Sequence, residues 1–142
     1  MIGEHHHTLD EKGRLMLPAE FRPALAGGLV VTRGLEGCLY VFPLATWRRL
    51  EAALTELPAN NPRAVALARF FIGAALQTRP DRAGRIALTP QLLDYAELEH
   101  QVVVLGLKTR LELWNPERWD TELTRLSSAQ YAVPEPVRAL LR

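Results

Sequence analysis

Residues 9–14 read Leu-Asp-Glu-Lys-Gly-Arg and residues 80–85 read Pro-Asp-Arg-Ala-Gly-Arg, so one Asp-x-x-Gly-Arg signature occurs twice, 71 positions apart. The flanks repeat with it. Leu15-Met16-Leu17 answers to Ile86-Ala87-Leu88, and Val30-Val31, Gly34-Leu35 and Trp47 fall on Val102-Val103, Gly106-Leu107 and Trp119 at an offset of 72. A chain that writes one motif twice is built from two copies of one structural unit. Two copies are too few to stack as a solenoid. A unit of this length with four short strands cannot bury its sheet faces alone. The duplication therefore predicts a mixed, mainly β fold in which both copies pair about a pseudo-twofold axis, share one core and carry flanking helices.

Each copy reads as strand, turn, strand, short helix, strand, turn, strand, longer helix. In the first turn Asp10 can accept backbone N–H bonds, and Gly13 can take the left-handed conformation that follows a type I turn. Asp81 and Gly84 do the same in the second. Arg14 then opens the strand Leu15-Met16-Leu17, Pro18 allows a helix to begin, and Phe21 and Leu25 give that helix an apolar side. Gly34-Leu35-Glu36-Gly37 between two β-rich runs signals a hairpin. Trp47, Leu50, Leu54 and Leu57 form a helical stripe, repeated by Trp119, Leu123 and Leu126 after the Asn115-Pro116 cap. The expected organisation is a first unit over 1–57, a linker with a connecting helix over 58–76, a second unit over 77–126 and a weakly ordered tail over 127–142. Phe70 and Phe71, in the connecting helix, are expected to wedge between the units as core.

Charge narrows the function classes. Residues 1–71 carry eight Lys/Arg against seven Asp/Glu, residues 72–142 carry nine of each, and the net charge is +1. Binding to nucleic acid through bulk positive charge is excluded, so any such binding must come from a few placed cations. Fifteen of the 17 basic residues are arginine, the better residue for bidentate contacts. No apolar run approaches a membrane span, the N-terminus lacks a signal-peptide pattern, and Cys38 stands alone, so an intracellular location is expected. The sequence has no phosphate loop, nucleophile elbow or zinc motif, which argues against an enzyme and against a cofactor or small-molecule ligand. His5-His6-His7 lacks a second ligand cluster and is not expected to hold a metal.

Several stretches in order resemble one family. Gly3, Glu4, His7, Thr8, Leu9, Asp10, Lys12, Gly13 and Arg14 closely resemble the opening of MraZ proteins. Thr32-Arg33-Gly34-Leu35-Glu36-Gly37-Cys38-Leu39, the run to Trp47, Arg69-Phe70-Phe71 and the second Asp81-x-x-Gly84-Arg85 are similar to the same family, to about residue 126. The chain departs from it at Thr89-Pro90, Ala87, His5 and His6. The resemblance implies two AbrB-like swapped-hairpin β units, each with an Asp-x-x-x-Arg motif, in a bacterial transcriptional regulator. It further implies a closed ring of identical subunits, binding to short direct repeats of double-stranded DNA in the promoter of the division and cell-wall gene cluster, repression, and a cytoplasmic, nucleoid-associated location.

Arg14 and Arg85 are the leading candidates for DNA contact, with Lys12 and Arg82 beside them on the same turns. A purely structural reading competes, in which each arginine only pairs with Asp10 or Asp81 and locks the turn. The roles can coexist, because an acidic partner can orient a guanidinium toward a base or phosphate. Arg33, Lys108 and Arg110 read as solvated strand ends, and Trp47, Trp119 and Cys38 as packing residues. A second function class is an antitoxin-like or scaffold interaction module of the same fold.

Overall fold

A computed structural model describes residues 1–128 and 132–142. Among the described residues there are eight strands: β1 (Ile2–Thr8), β2 (Arg14–Met16), β3 (Leu29–Arg33), β4 (Leu39–Pro43), β5 (Leu76–Thr78), β6 (Arg85–Ala87), β7 (Gln101–Leu107) and β8 (Leu111–Trp114). Six of them form an antiparallel sheet in the order β1-β7-β8-β4-β3-β5, while β2 and β6 pair as a separate two-stranded ribbon. The opening strand of each copy thus joins the hairpin of the other: β1 pairs with β7, and β5 with β3. This exchange is the swapped-hairpin arrangement, and it makes the two copies one folding unit.

Register locates the pseudo-twofold axis. Tyr40 pairs with Glu112 in the centre of the sheet, and Leu15 pairs with Ile86 in the centre of the ribbon. These are equivalent positions of the two copies, at offsets of 72 and 71, and equivalent residues can face each other only where the axis passes between them. Period-2 alternation then sorts side chains to two faces. Leu29, Val31, Leu39, Val41, Val102, Val104, Leu111 and Leu113 point to the ribbon side, where they enclose Leu15, Leu17, Phe21, Ile86, Leu88 and Leu92 as the main core. Leu15 and Ile86 are the axis pair at its centre.

Helices cover the other sheet face. Val30 and Phe42 pack with Trp47 and Leu54 of α2 (Leu44–Glu56) and Phe71 of α3 (Pro62–Phe71), following α1 (Arg22–Leu25) in the chain. Cys38, Val103, Leu105 and Trp114 pack against Trp119. That residue lies on α5 (Pro116–Leu126), which follows α4 (Pro90–Ala96). Helix starts have identifiable causes. Asn61 and Asn115 each accept two backbone N–H bonds ahead of a first-position proline, and Thr89 caps Leu92 N ahead of Pro90. The change at Thr89-Pro90 therefore builds a seven-residue helix where the first copy, uncapped at Pro18, has a 3₁₀ turn and only four α-helical residues.

Within the tail, α6 (Glu135–Leu141), exposed along its whole length, tolerates Pro136 in its first turn and carries Arg142–Glu135 and Arg138–Glu135 pairs; part of the tail, 129–131, lies outside the described residues. Two expectations need correction. Phe70 and Phe71 divide their roles. Phe71 joins the outer layer of the first copy, whereas Phe70 meets Tyr95 of the second edge-on at 6.1 Å. Arg33 and Arg110 are not solvated strand ends. Arg33 lies near the Phe70 and Tyr95 rings, and Arg110 donates to the buried Glu112 at 2.8 and 3.1 Å while sitting 4.6 Å above Tyr40. Lys108, in the turn after β7 at φ +70°, is exposed.

Candidate nucleic-acid interface

Both Asp-x-x-Gly-Arg motifs close the same turn. Asp10 Oδ1 accepts from Lys12 N and Arg14 N, both at 2.9 Å, and Asp10 O accepts from Gly13 N at 3.0 Å. Asp81 Oδ1 accepts from Ala83 N and Arg85 N, both at 2.9 Å, and Asp81 O accepts from Gly84 N at 2.9 Å. Gly13 at φ +72° and Gly84 at φ +84° take the left-handed conformation these turns require. Each glycine carbonyl then serves the other copy: Gly84 O accepts from Leu17 N at 2.9 Å, and Gly13 O from Leu88 N at 3.0 Å. The turns are locked locally by aspartate and across the axis by the ribbon.

The arginines do more than lock. Arg14 donates through Nε to Asp10 Oδ2 at 2.6 Å, and Arg85 through Nε to Asp81 Oδ2 at 3.0 Å. Both arginine side chains stay about one-third exposed, at 31% and 34%. Using Nε for the aspartate leaves the two terminal nitrogens of each fork available as donors to a ligand. The structural and ligand-facing roles are therefore compatible in one side chain. Backbone N–H bonds from Arg14 and Arg85, with the side-chain bonds of the same residues, hold both aspartates below the ordinary carboxylate range. Each therefore stays ionised as the orienting partner.

Pairing in the ribbon brings the two turns to opposite ends of one surface. Arg14 faces Ala87 and Met16 faces Arg85, while Leu15 and Ile86 point into the core. Arg14 and Arg85 thus project to the same outward face on a diagonal, about 7–8 Å apart at the backbone for such neighbours. Lys12 and Arg82 are exposed on the turns themselves. B-DNA's major groove, about 12 Å wide, admits a two-stranded ribbon of this kind.

One cation escapes a reading of the sequence alone. Arg22, in the first copy, reaches the second turn: a Cβ on Gly84 would lie 2.5 Å from Arg22 Nε and 2.6 Å from its Cζ. The equivalent neighbour of Gly13 is Leu93, with Cδ1 at 3.0 Å. An offset of 71 aligns Arg22 with Leu93, so the mismatch is visible in the sequence, but its meaning depends on the ribbon that joins the copies. The histidine run is engaged elsewhere. His6 pairs with Glu4 at 2.9 Å, and His5 stands edge-on to Phe21. Burial, followed by the charges of His5 and Arg22, lowers the pKa of His7. Among the described residues no group of three potential ligands is arranged to hold a metal, and no helix is long and apolar enough to cross a membrane.

Comparison with known proteins agrees with the duplication. The family description "MraZ protein, putative antitoxin-like" matches the chain twice, over residues 1–70 and 71–140. A "Transcriptional regulator MraZ" of Moorella thermoacetica is 45% identical over 130 residues, covering 92% of this chain and 90% of the relative. The protein so named in Thermus thermophilus is 43% identical over 142 residues, covering 99% and 98%. One from Saccharopolyspora erythraea is 47% identical over 122 residues, covering 86% and 85%. With the family pattern matched in both halves and relatives aligned over nearly the whole length, the chain belongs to the MraZ family, a family of transcriptional regulators and not of enzymes.

Proposed function

We propose that this protein is a sequence-specific DNA-binding transcriptional regulator that acts as a closed ring on short direct repeats in the promoter of its own division and cell-wall gene cluster, where it represses transcription. The carrying observation is the ribbon. Two aspartate-oriented arginines, Arg14 and Arg85, share one outward face, with Lys12 and Arg82 on the adjoining turns. In this reading Arg14 and Arg85 reach base edges or phosphates, and Lys12 and Arg82 add backbone contacts. Asp10, Gly13, Asp81 and Gly84 shape the turns. The protein works in the cytoplasm at the nucleoid and needs no cofactor.

Charge explains why the ring matters. A protomer with net charge +1 has too few placed cations to hold DNA tightly. A head-to-tail interface that closes on itself presents identical ribbons to successive repeats. Linked contacts then gain by effective concentration, raising avidity roughly 100-fold or more over one site.

The test is binding of the purified protein to duplex DNA from upstream of its own gene across a salt series, with Arg14→Ala, Arg85→Ala and the double variant beside the parent. The expected result is repeat-dependent binding with a steep salt slope, weakened in at least one variant that keeps its fold and assembly. Variants that all bind like the parent would remove the arginines from the interface. A parent indifferent to promoter DNA overturns the regulator reading. An antitoxin-like module remains the second reading, favoured by the exposed Val137, Leu140 and Leu141 of α6 as a docking segment.

A further inference from the structure

The two turns are equivalent in backbone but not in what lies against them. Leu93 fills the space beside Gly13, and the Arg22 guanidinium fills the corresponding space beside Gly84. An apolar side chain is therefore sufficient to pack a turn of this kind, and packing alone does not explain a charge at the second one. Arg22 donates from Nε to Leu17 O at 3.1 Å and from Nη2 to Met16 Sδ at 3.2 Å. A thioether is a weak acceptor, and a carbonyl does not neutralise a cation. Among the described residues, neither Arg22 nor Arg82 has a carboxylate at ion-pair distance. Asp81 is already bound to Arg85 and to two backbone N–H groups. Arg22 and Arg82 line one cleft of about 210 Å³ with Ala26, Pro80, Asp81 and Gly84.

We infer that Arg22 and Arg82 form a subsite for a DNA backbone phosphate on the second turn, and that the first turn lacks it. The inference rests on the DNA-binding reading and adds to it an inequality between the copies. A half-buried guanidinium is weakly hydrated and loses little when an anion replaces its water. Gly84 is what allows the guanidinium to lie against the turn backbone, because any Cβ would occupy its place. Arg85 remains the orienting and reading residue, while Arg22 and Arg82 grip the strand beside it. The first turn, with Leu93 in that space, offers only Lys12 and Arg14.

The experiment compares the parent with Arg22→Leu, which makes the second turn resemble the first, and with Leu93→Arg, which does the reverse. Each full-length protein is titrated with the same promoter duplex and with a scrambled duplex across a salt series, with assembly checked by light scattering. One lost phosphate contact lowers the salt slope by about 1 and weakens binding about fivefold at 0.15 M salt per protomer engaged, equally for both duplexes. Arg22→Leu is expected to show that loss and Leu93→Arg the opposite shift. Arg82→Ala, at an exposed position, should mimic Arg22→Leu. The inference falls alone if the parent binds the promoter duplex and these substitutions leave slope and affinity unchanged. If Arg22→Leu fails to fold, unchanged slopes in Leu93→Arg and Arg82→Ala overturn it equally. A parent that binds neither duplex overturns the DNA reading as well.

Discussion

Replacing Gly13 and Gly84 separately by alanine tests the inequality of the two turns through the backbone. At Gly13, φ is +72°, and a Cβ in this region costs about 1–2 kcal/mol. Its nearest neighbour is the tip of Leu93 at 3.0 Å, which can rotate aside. At Gly84, φ is +84° and the same backbone cost applies. Here the new Cβ would lie 2.5 Å from Arg22 Nε, so the guanidinium must leave and its bond to Leu17 O is lost. A net contribution of roughly 1 kcal/mol for that bond raises the expected cost of Gly84→Ala to about 2–3 kcal/mol, against about 1–2 for Gly13→Ala. At roughly 3–4 °C per kcal/mol for a chain of this size, the two variants should melt about 3–4 °C apart. Calorimetry at one protein concentration is the assay, because self-association shifts the midpoint by mass action. A DNA salt series on the same samples adds an independent readout. Gly84→Ala should lose about one unit of slope, and Gly13→Ala none. Equal melting temperatures with equal slopes would refute the placement of Arg22 against the second turn.

The depressed carboxyl groups of Asp10 and Asp81 set an acid limb. With folded values below the unfolded value near 3.9, both groups stabilise the protein fully above about pH 5, and that contribution is lost as pH falls through their folded values. Denaturation followed from pH 7 to pH 2 should show the acid limb shrinking in an Asp10→Asn/Asp81→Asn double variant; an unchanged limb assigns it to other carboxylates. Leu15→Ala, which hollows the core at the ribbon's axis pair, should cost about 2–5 kcal/mol in urea unfolding, and a loss below about 1 kcal/mol would contradict its burial. Cys38 is 1% exposed, and burial together with the nearby Glu112 carboxylate pushes its thiol pKa upward. It should react with a thiol reagent only as fast as the protein unfolds, so prompt labelling in native buffer would refute its packing beneath Trp114.

Much of the fold was legible in local pattern. The duplication, the glycine turns and the Asn115 cap each rest on chemistry that acts within a few residues, so spacing alone exposed them; the helical stripes held in part, since Leu57 falls past the end of α2 and Leu123 is exposed. Asp10 and Asp81 were readable as turn formers for the same reason. Arg33 was not, because its surroundings, Phe70 and Tyr95, come from distant segments; Arg110 has its ion-pair partner Glu112 only two positions on, but the Tyr40 ring beneath it comes from the other copy. Arg22 was hidden because its partner, Gly84, lies 62 positions away in the other copy.

By itself, the sequence determined that there are two copies, where each turn closes and which cations the turns carry, since a left-handed glycine and an acceptor aspartate impose one local geometry wherever they occur. Only the tertiary structure decided that the copies exchange their first strands, that Arg14 and Arg85 come to share one face, and that the turns differ in the side chain packed against them. Those outcomes depend on pairing between strands far apart in the chain. Each copy can cover its apolar faces only by taking strands from the other, and that exchange carries Arg22 of the first copy onto the turn of the second.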